Sequence, residues 1–383
     1  MRHGRSKKPG GHGASELDIL ILGPVPPPFG GISVHLSRLV PLLQAQGLNV
    51  AVLNHFGSAE LPFVLGVLNR NPLNYYRLPR AFPARVLHYH HSRWPHLIAF
   101  ALGNRSRNVR RMLTLHVGNI ATQFPELTSR NRLVRGITHW ALRRFDTIIV
   151  VDPKIASALR EHLDKPRIEV LPAFVEAVGE LHPYEDRLEE FLDEGRVLVV
   201  AAYGVLFLDD GQELYGLDSV VQAFIRLAPD RQDLRLAIFI ARRPMRRKAR
   251  RFLARLEDAL EQAGVRERVQ IAFGLPLLAA FRRNAIFVRP TRAEGDALSI
   301  REAQRAGVPV IASDVVERPS GVITVHRDDV SELCAALASV LDAESVGRGP
   351  IPSDHTDAAA EGSFAADLIR VYRAELDRPQ ASA

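Results

Sequence analysis

Among the 383 residues there is a single cysteine, Cys334. That excludes an intrachain disulfide and a thiolate metal cluster, and it fits a reducing, cytoplasmic location. Long apolar runs are also missing. The longest uncharged one, Val197 to Leu208, has twelve residues, whereas a membrane span needs ~20, so no transmembrane helix is expected. The opening MRHGRSKKPGGHGAS has charge and glycine but no apolar segment behind it, which argues against a secretory signal and for a disordered basic tail over residues 1–15. The net charge is +7, but Arg2, Arg5, Lys7 and Lys8 supply four of those charges with no acid among them. Basicity alone is then weak evidence for nucleic acid, and none is expected as a partner.

A second basic block, RRPMRRKARRFLAR from Arg242 to Arg255, is denser and contains no acid. It reads as a solvated helix face, as a contact for anionic lipid, or as a phosphate site. RNA ranks behind these, because only Phe252 interleaves the arginines as a stacking aromatic.

What the chain does have is alternation. LDILILG (17–23) is a short apolar run ending in glycine, as a fully buried parallel strand would be. After PVPPPFGG, residues Leu36, Leu39, Val40 and Leu43 share a helical face, with Pro41 expected to bend the helix and Gly47 to stop it. LNVAVLN (48–54) is the next strand. RVLHYHH, RMLTLH, DTIIVV and RIEVLP continue the pattern, an acidic stretch near 175–193 reads as a linker, and RVLVVAAYG restarts the alternation through LRLAIFIA, VQIAFG, AIFVRPT and VPVIAS. This predicts an α/β protein with two Rossmann-like domains, over 16–175 and 194–350. An amphipathic closing helix is expected within 355–378, packing back toward the N-terminal domain, with Leu368, Val371 and Tyr372 clustered.

Two strand ends look built for an anion or a polyol. Gly30 and Gly31 follow the first strand and open a helix, where backbone N–H groups allow close anion approach. This is not the dinucleotide fingerprint: GPVPPPFGG lacks G-x-G-x-x-G, and Asn54 rather than an acid ends the second strand. In RPTRAEGDALSIREA (289–303), a strand end turns into a helix whose first N–H groups, at Ala297, Leu298 and Ser299, form an anion-binding terminus. Glu294 precedes that helix and Glu302 lies about one turn inside it. A carboxylate accepts paired hydrogen bonds from vicinal hydroxyls, so one can hold a sugar while the other holds a ribose. His88 and His90 alternate at strand spacing and could ligate metal, but no carboxylate or thiolate stands near them in sequence, and no metal is expected.

On these residues the chain resembles the retaining glycosyltransferases of family 4, with the two-domain GT-B fold, from about Leu17 to Leu376. Pro27, Pro28, Phe29, Gly30 and Gly31 match a PPxxGG turn in compressed form. Glu294, Glu302 and Ala303 match a glutamate, seven intervening residues and a Glu-Ala pair, and AGVPVIASD (306–314) matches the following strand. The resemblance implies that Glu302 binds the ribose of a nucleotide sugar and that Glu294 contacts the donor sugar near its reacting face. It implies that Leu298 and Ser299 hold the pyrophosphate, and that His116 in LTLHVGN faces donor sugar and acceptor.

One part of the family pattern is missing. Tyr203 and Val205 flank Gly204 where an arginine is expected, and Tyr215 precedes Gly216 where a lysine is expected; both would clamp the pyrophosphate. Asp209, Asp210 and Glu213 make the same loop acidic, and Arg242, Arg243 and Arg289, at neighbouring strand ends, are the candidate replacements. The activity implied is transfer of a hexose from a nucleotide diphosphate sugar to a glycan or lipid-linked acceptor, with retention, in cell-surface polysaccharide synthesis. No cofactor is expected, and the protein would be cytoplasmic or peripheral on an anionic membrane. The alternative is a catalytically degenerate relative that binds glycan, nucleotide or a partner enzyme.

Overall fold

The computed structural model describes residues 17–55, 57, 61–68, 71–90, 93–103, 109–116, 124–171, 184–282, 284–294, 297–345 and 358–378. The basic tail therefore lies outside the described residues. Two parallel sheets organise the chain. The first has strands β1 (Leu17–Gly23), β2 (Val50–Asn54), β3 (Val64–Val67), β4 (Ala84–His90), β5 (Arg110–Leu115), β6 (Thr147–Val150) and β7 (Arg167–Val170) in the order β3-β2-β1-β4-β5-β6-β7. The second has β8 (Arg196–Ala202), β9 (Leu234–Ile240), β10 (Val269–Phe273), β11 (Ala285–Arg289), β12 (Val310–Ser313) and β13 (Ile323–Val325) in the order β10-β9-β8-β11-β12-β13.

The central strands are apolar on both faces because helices cover both. In β1, Ile19, Leu20, Ile21 and Leu22 are all fully buried; the even-numbered pair packs into one cluster and the odd-numbered pair into another. Helices α1 (Gly31–Ala45), α2 (Pro72–Ala81), α3 (Trp94–Gly103), α4 (Arg132–Leu142) and α5 (Pro153–Arg160) belong to the first sheet. Around the second run α6 (Asp186–Asp193), α7 (Leu217–Leu227), α8 (Arg247–Gln262), α9 (Leu298–Arg305) and α10 (Val330–Ser345). Helix α1 passes unbroken through Pro41. Part of the stretch read as linker is helical: α6 buries Phe191 and Leu192 beneath the second sheet.

The last helix, α11 (Ala358–Asp377), returns to the first sheet. Leu368, Val371, Tyr372 and Leu376 complete the cluster formed by Ile19, Ile21 and α1. Arg85 donates to the carbonyl of Leu376 at 2.6 Å, and Thr147 donates to Glu375 at 2.7 Å. Two pieces had no signal in the sequence: the edge strand β3, whose Leu65 and Val67 are half exposed, and the three-residue β13.

Strand order reverses between β1 and β4 in the first sheet and between β8 and β11 in the second. Loops leaving the carboxyl ends of such a pair diverge and open a crevice, where open α/β sheets bind ligands. The segments after β1, β4, β8 and β11 contain most of the residues singled out above.

Candidate active site

The two crevices meet. A Cβ added at Gly30 would stand 2.7 Å from the ring of Tyr203, so the second sheet's first loop packs directly on the glycine backbone. Nothing lies within 4 Å of the same position at Gly31. The Gly30 N–H donates to Ser33 Oγ at 2.8 Å, which uses one of the groups expected to face an anion. Space for a ligand therefore opens at Gly31 and not at Gly30.

Both glutamates face cations. Glu302, on α9 and 7% exposed, is ion-paired with Arg38, which comes across from α1 of the first sheet. Burial raises the Glu302 carboxyl above its ordinary range, and the Arg38 guanidinium opposes that rise. Glu294 takes one arginine on each oxygen. Arg289 Nε donates to Oε1 at 2.7 Å with Nη2 on the same oxygen, and Arg318 Nη1 donates to Oε2 at 2.7 Å. Side-chain exposures of 15%, 5% and 4% for Arg289, Glu294 and Arg318 make this a buried cluster of net charge +1.

The cluster is held by strand ends. Arg289 Nη1 donates to the Ala201 carbonyl at 2.9 Å, and Arg318 Nε donates to the Ser313 carbonyl at 2.8 Å. Arg289 also lies over the ring of Tyr215, 5.4 Å from its centroid. A cation from β11 thus stands on the residue that occupies the expected lysine position. Gly216 beside it has φ +67°, and a Cβ there would lie 2.2 Å from the Pro290 carbonyl oxygen, so the α7 entry fits closely against the end of β11.

The other candidates are placed less centrally. Arg242 and Arg243 are exposed; Arg242 lies 5.9 Å from the centroid of Tyr203, and Arg243 lies 4.6 Å from that of Phe273. At the start of α9 the capping residue is Ala297, with no side-chain cap, and Leu298 and Ser299 open the first turn. Gly295 and Asp296 of the turn before it lie outside the described residues.

The acidic loop differs from its sequence reading. Glu213 is 1% exposed and turned inward, where it accepts from the N–H groups of Tyr215 and Leu217 at 3.0 and 3.1 Å and caps α7. Burial pushes its carboxyl up to about 7. It therefore does not present charge to a ligand as the sequence suggested.

His116 follows β5, and its Nε2 lies 3.0 Å from His90 Nδ1. Ring nitrogens of His35, His90 and His116 fall within 4.8 Å of one another, a set that could hold a transition metal. His88, the other half of the pair noted in the sequence, instead has both nitrogens engaged by Thr114 and Tyr372. Sequence reasoning missed His35, Arg38 and Arg318. The first two were within reach, since positions 31, 35 and 38 recur at helical spacing.

Comparison with known proteins bears on the family and the fold. Residues 29–177 match the family model described as Glycosyltransferase Family 4, and residues 203–343 match that described as Glycosyl transferases group 1. The chain is 26% identical, over 331 residues, to the lipopolysaccharide core biosynthesis mannosyltransferase of Rhizobium meliloti (strain 1021), covering 82% of this chain and 84% of that protein. Among solved structures, sucrose-phosphate synthase from Thermosynechococcus elongatus superposes with a TM-score of 0.69 at 18% identity, covering 93% of this chain and 98% of that one. Anabaena HepE in complex with UDP and glucose gives 0.68 at 14% identity, covering 94% and 99%. At these identities the structures establish the fold.

Proposed function

Since the chain belongs to glycosyltransferase family 4, with a group 1 domain following it in a GT-B fold, we propose that it moves a hexose from a nucleotide diphosphate sugar to a glycan or lipid-linked acceptor with retention. The observation that carries this reading is the pair Glu294 and Glu302, set on one strand-to-helix connection at the second sheet's crevice, with Glu302 paired to Arg38 of the first. Residues 194–350 take the donor in this reading, and residues 16–175 take the acceptor. The similarity to a lipopolysaccharide core mannosyltransferase favours a cell-surface glycan as product.

Glu302 accepts from the ribose hydroxyls, and Glu294 orients the donor hexose. The diphosphate lies over the first turn of α9, at Ala297, Leu298 and Ser299. Arg289 and Arg318 supply the cationic clamp that Val205 and Tyr215 cannot, with Arg242 and Arg243 at the rim. In the transfer step the bond from C1 to the β-phosphate oxygen breaks with its electron pair leaving on phosphate. The acceptor oxygen bonds to C1 from the same face, and its proton passes to a phosphate oxygen. The protein supplies orientation and electrostatics, with His116 beside the acceptor. A degenerate, non-transferring protein is not favoured, since carboxylates and cations are both in place.

Among the described residues no helix is long and apolar enough to cross a membrane. Helix α8 presents exposed Arg246, Arg247, Lys248, Arg250 and Arg251 beside Met245, which is 82% exposed. This favours attachment to an anionic membrane surface, where lipid-linked acceptors reside. The test of function is incubation with UDP- and GDP-hexoses and a lipid-linked oligosaccharide. Release of nucleoside diphosphate together with a product of the donor's own anomeric configuration by proton NMR supports the reading. An inverted product, or no release with any donor, contradicts it.

A further inference from the structure

Three histidines from three elements converge at the carboxyl end of the first sheet. His35 lies on the second turn of α1, His90 is the last residue of β4, and His116 follows the end of β5. Strand β4 lies between β1 and β5, so the helix that follows β1 and the two strand ends bring their rings to one place. His90 Nδ1 and His116 Nε2 are 3.0 Å apart. The His35 ring stands 5.7 Å from the His90 ring and 5.3 Å from the His116 ring, centroid to centroid. One ring nitrogen from each residue lies within 4.8 Å of those of the other two. His35 and His90 are buried, at 3% and 1% exposure, and His116 is half-buried.

Ligand nitrogens around a tetrahedral zinc, at Zn–N distances of about 2.0–2.1 Å, stand about 3.4 Å from one another. His90 and His116 are already inside that separation, and His35 has at most about 1.4 Å to close. Among the described residues no carboxylate or thiolate joins the set. Imidazole nitrogens alone suit zinc and its neighbours, whereas magnesium, calcium and manganese take oxygen ligands. Three protein ligands also leave one tetrahedral position open, as in zinc sites that bind water or substrate. The pair that strand spacing suggests, His88 and His90, is not the site. His88 is taken up by Tyr372 and Thr114, and α1 supplies the third ligand instead.

We propose that His35, His90 and His116 bind a zinc ion through one nitrogen each, with the fourth position left to water or a substrate hydroxyl. Arg38, one turn further along α1, pairs with Glu302 of the second sheet, so the site lies beside the contact that joins the two crevices. What the ion does there rests on the transfer reading above: an acceptor hydroxyl at the open position would lose its proton more readily. The binding site itself does not rest on that reading.

The test uses the full-length protein stripped of metal by a chelator, with no nucleotide or acceptor present, so failure of the site and failure of the transfer reading are separate results. Titration with Co2+ should bring up d–d absorption bands that saturate at one ion per chain and are displaced by Zn2+. X-ray absorption at the zinc K-edge of the loaded protein should show three imidazole nitrogens at about 2.0–2.1 Å. His35→Gln and His116→Gln should each weaken zinc binding at least about tenfold. His139→Gln, in a second histidine pair whose rings stack at 5.2 Å with His162, should leave it unchanged. No uptake of either ion by the native protein, fewer than three imidazoles at the K-edge, or native affinity in both His35→Gln and His116→Gln would overturn the proposal. The K-edge measurement needs no variant, so it decides the matter even where substitution of a buried histidine disturbs the fold.

Discussion

Replacing Glu294 with glutamine removes one charge and almost no volume. It leaves Arg289 and Arg318, at 15% and 4% side-chain exposure, sharing a site without a carboxylate. Breaking a buried pair so that a charge is left uncompensated costs about 3–5 kcal/mol, and the low exposures justify using that range undiscounted. For a domain the size of the second one, that corresponds to a fall in Tm of roughly 6–20 °C. A nucleoside diphosphate would supply the missing negative charge. In differential scanning fluorimetry, Glu294→Gln should melt well below the native protein, and saturating UDP or GDP should stabilise it by more than it stabilises the native protein. An unchanged Tm would refute the claim that Glu294 offsets the charge of the two buried arginines. A nucleotide shift equal in the two proteins would refute the placement of the diphosphate on these arginines.

Three further outcomes are expected. Glu302 has its carboxyl raised by burial and held back by Arg38, so nucleotide affinity should weaken as pH falls through a midpoint above the ordinary carboxylate range. Arg38→Ala should move that midpoint higher, as read by titration calorimetry between pH 5 and 8. Glu213, raised from 4.5 to about 7, binds its proton more tightly folded than unfolded. Its contribution to stability is then full at low pH and is withdrawn between those values, by up to about 3 kcal/mol; urea denaturation at pH 5 and pH 8 should show this slope in the native protein and not in Glu213→Gln. Gly30→Ala would drive a methyl into the Tyr203 ring, and should lower kcat/KM at least about tenfold, with Tyr203→Ala in the same chain restoring most of it.

Much of the fold was legible because its strands are buried on both faces. Runs such as ILIL in β1 and VLVV in β8 read as parallel strands without partners in view, and the small residues after them marked the loops. The edge strands β3 and β13 gave no such signal, being short and partly exposed. At the site, residues of one strand-to-helix connection, Glu294 through Glu302, could be found by spacing. Which side chains they and the buried histidines pair with could not: Arg318 is 24 positions from Glu294, Arg38 is 264 from Glu302, and Tyr372 is 284 from His88. Only the juxtaposition of strand ends brings them together. Glu213 misled for a different reason, because an acidic residue before a helix can serve the ligand or cap the helix, and here it caps.

The central claim is that the second sheet's crevice holds the nucleotide through Glu302. Titration calorimetry of UDP and GDP into the native protein and into Glu302→Ala tests it most directly. Micromolar binding of one nucleotide, lost on substitution, is the predicted result. Absence of binding at millimolar nucleotide, or equal affinity in the two proteins, would contradict it.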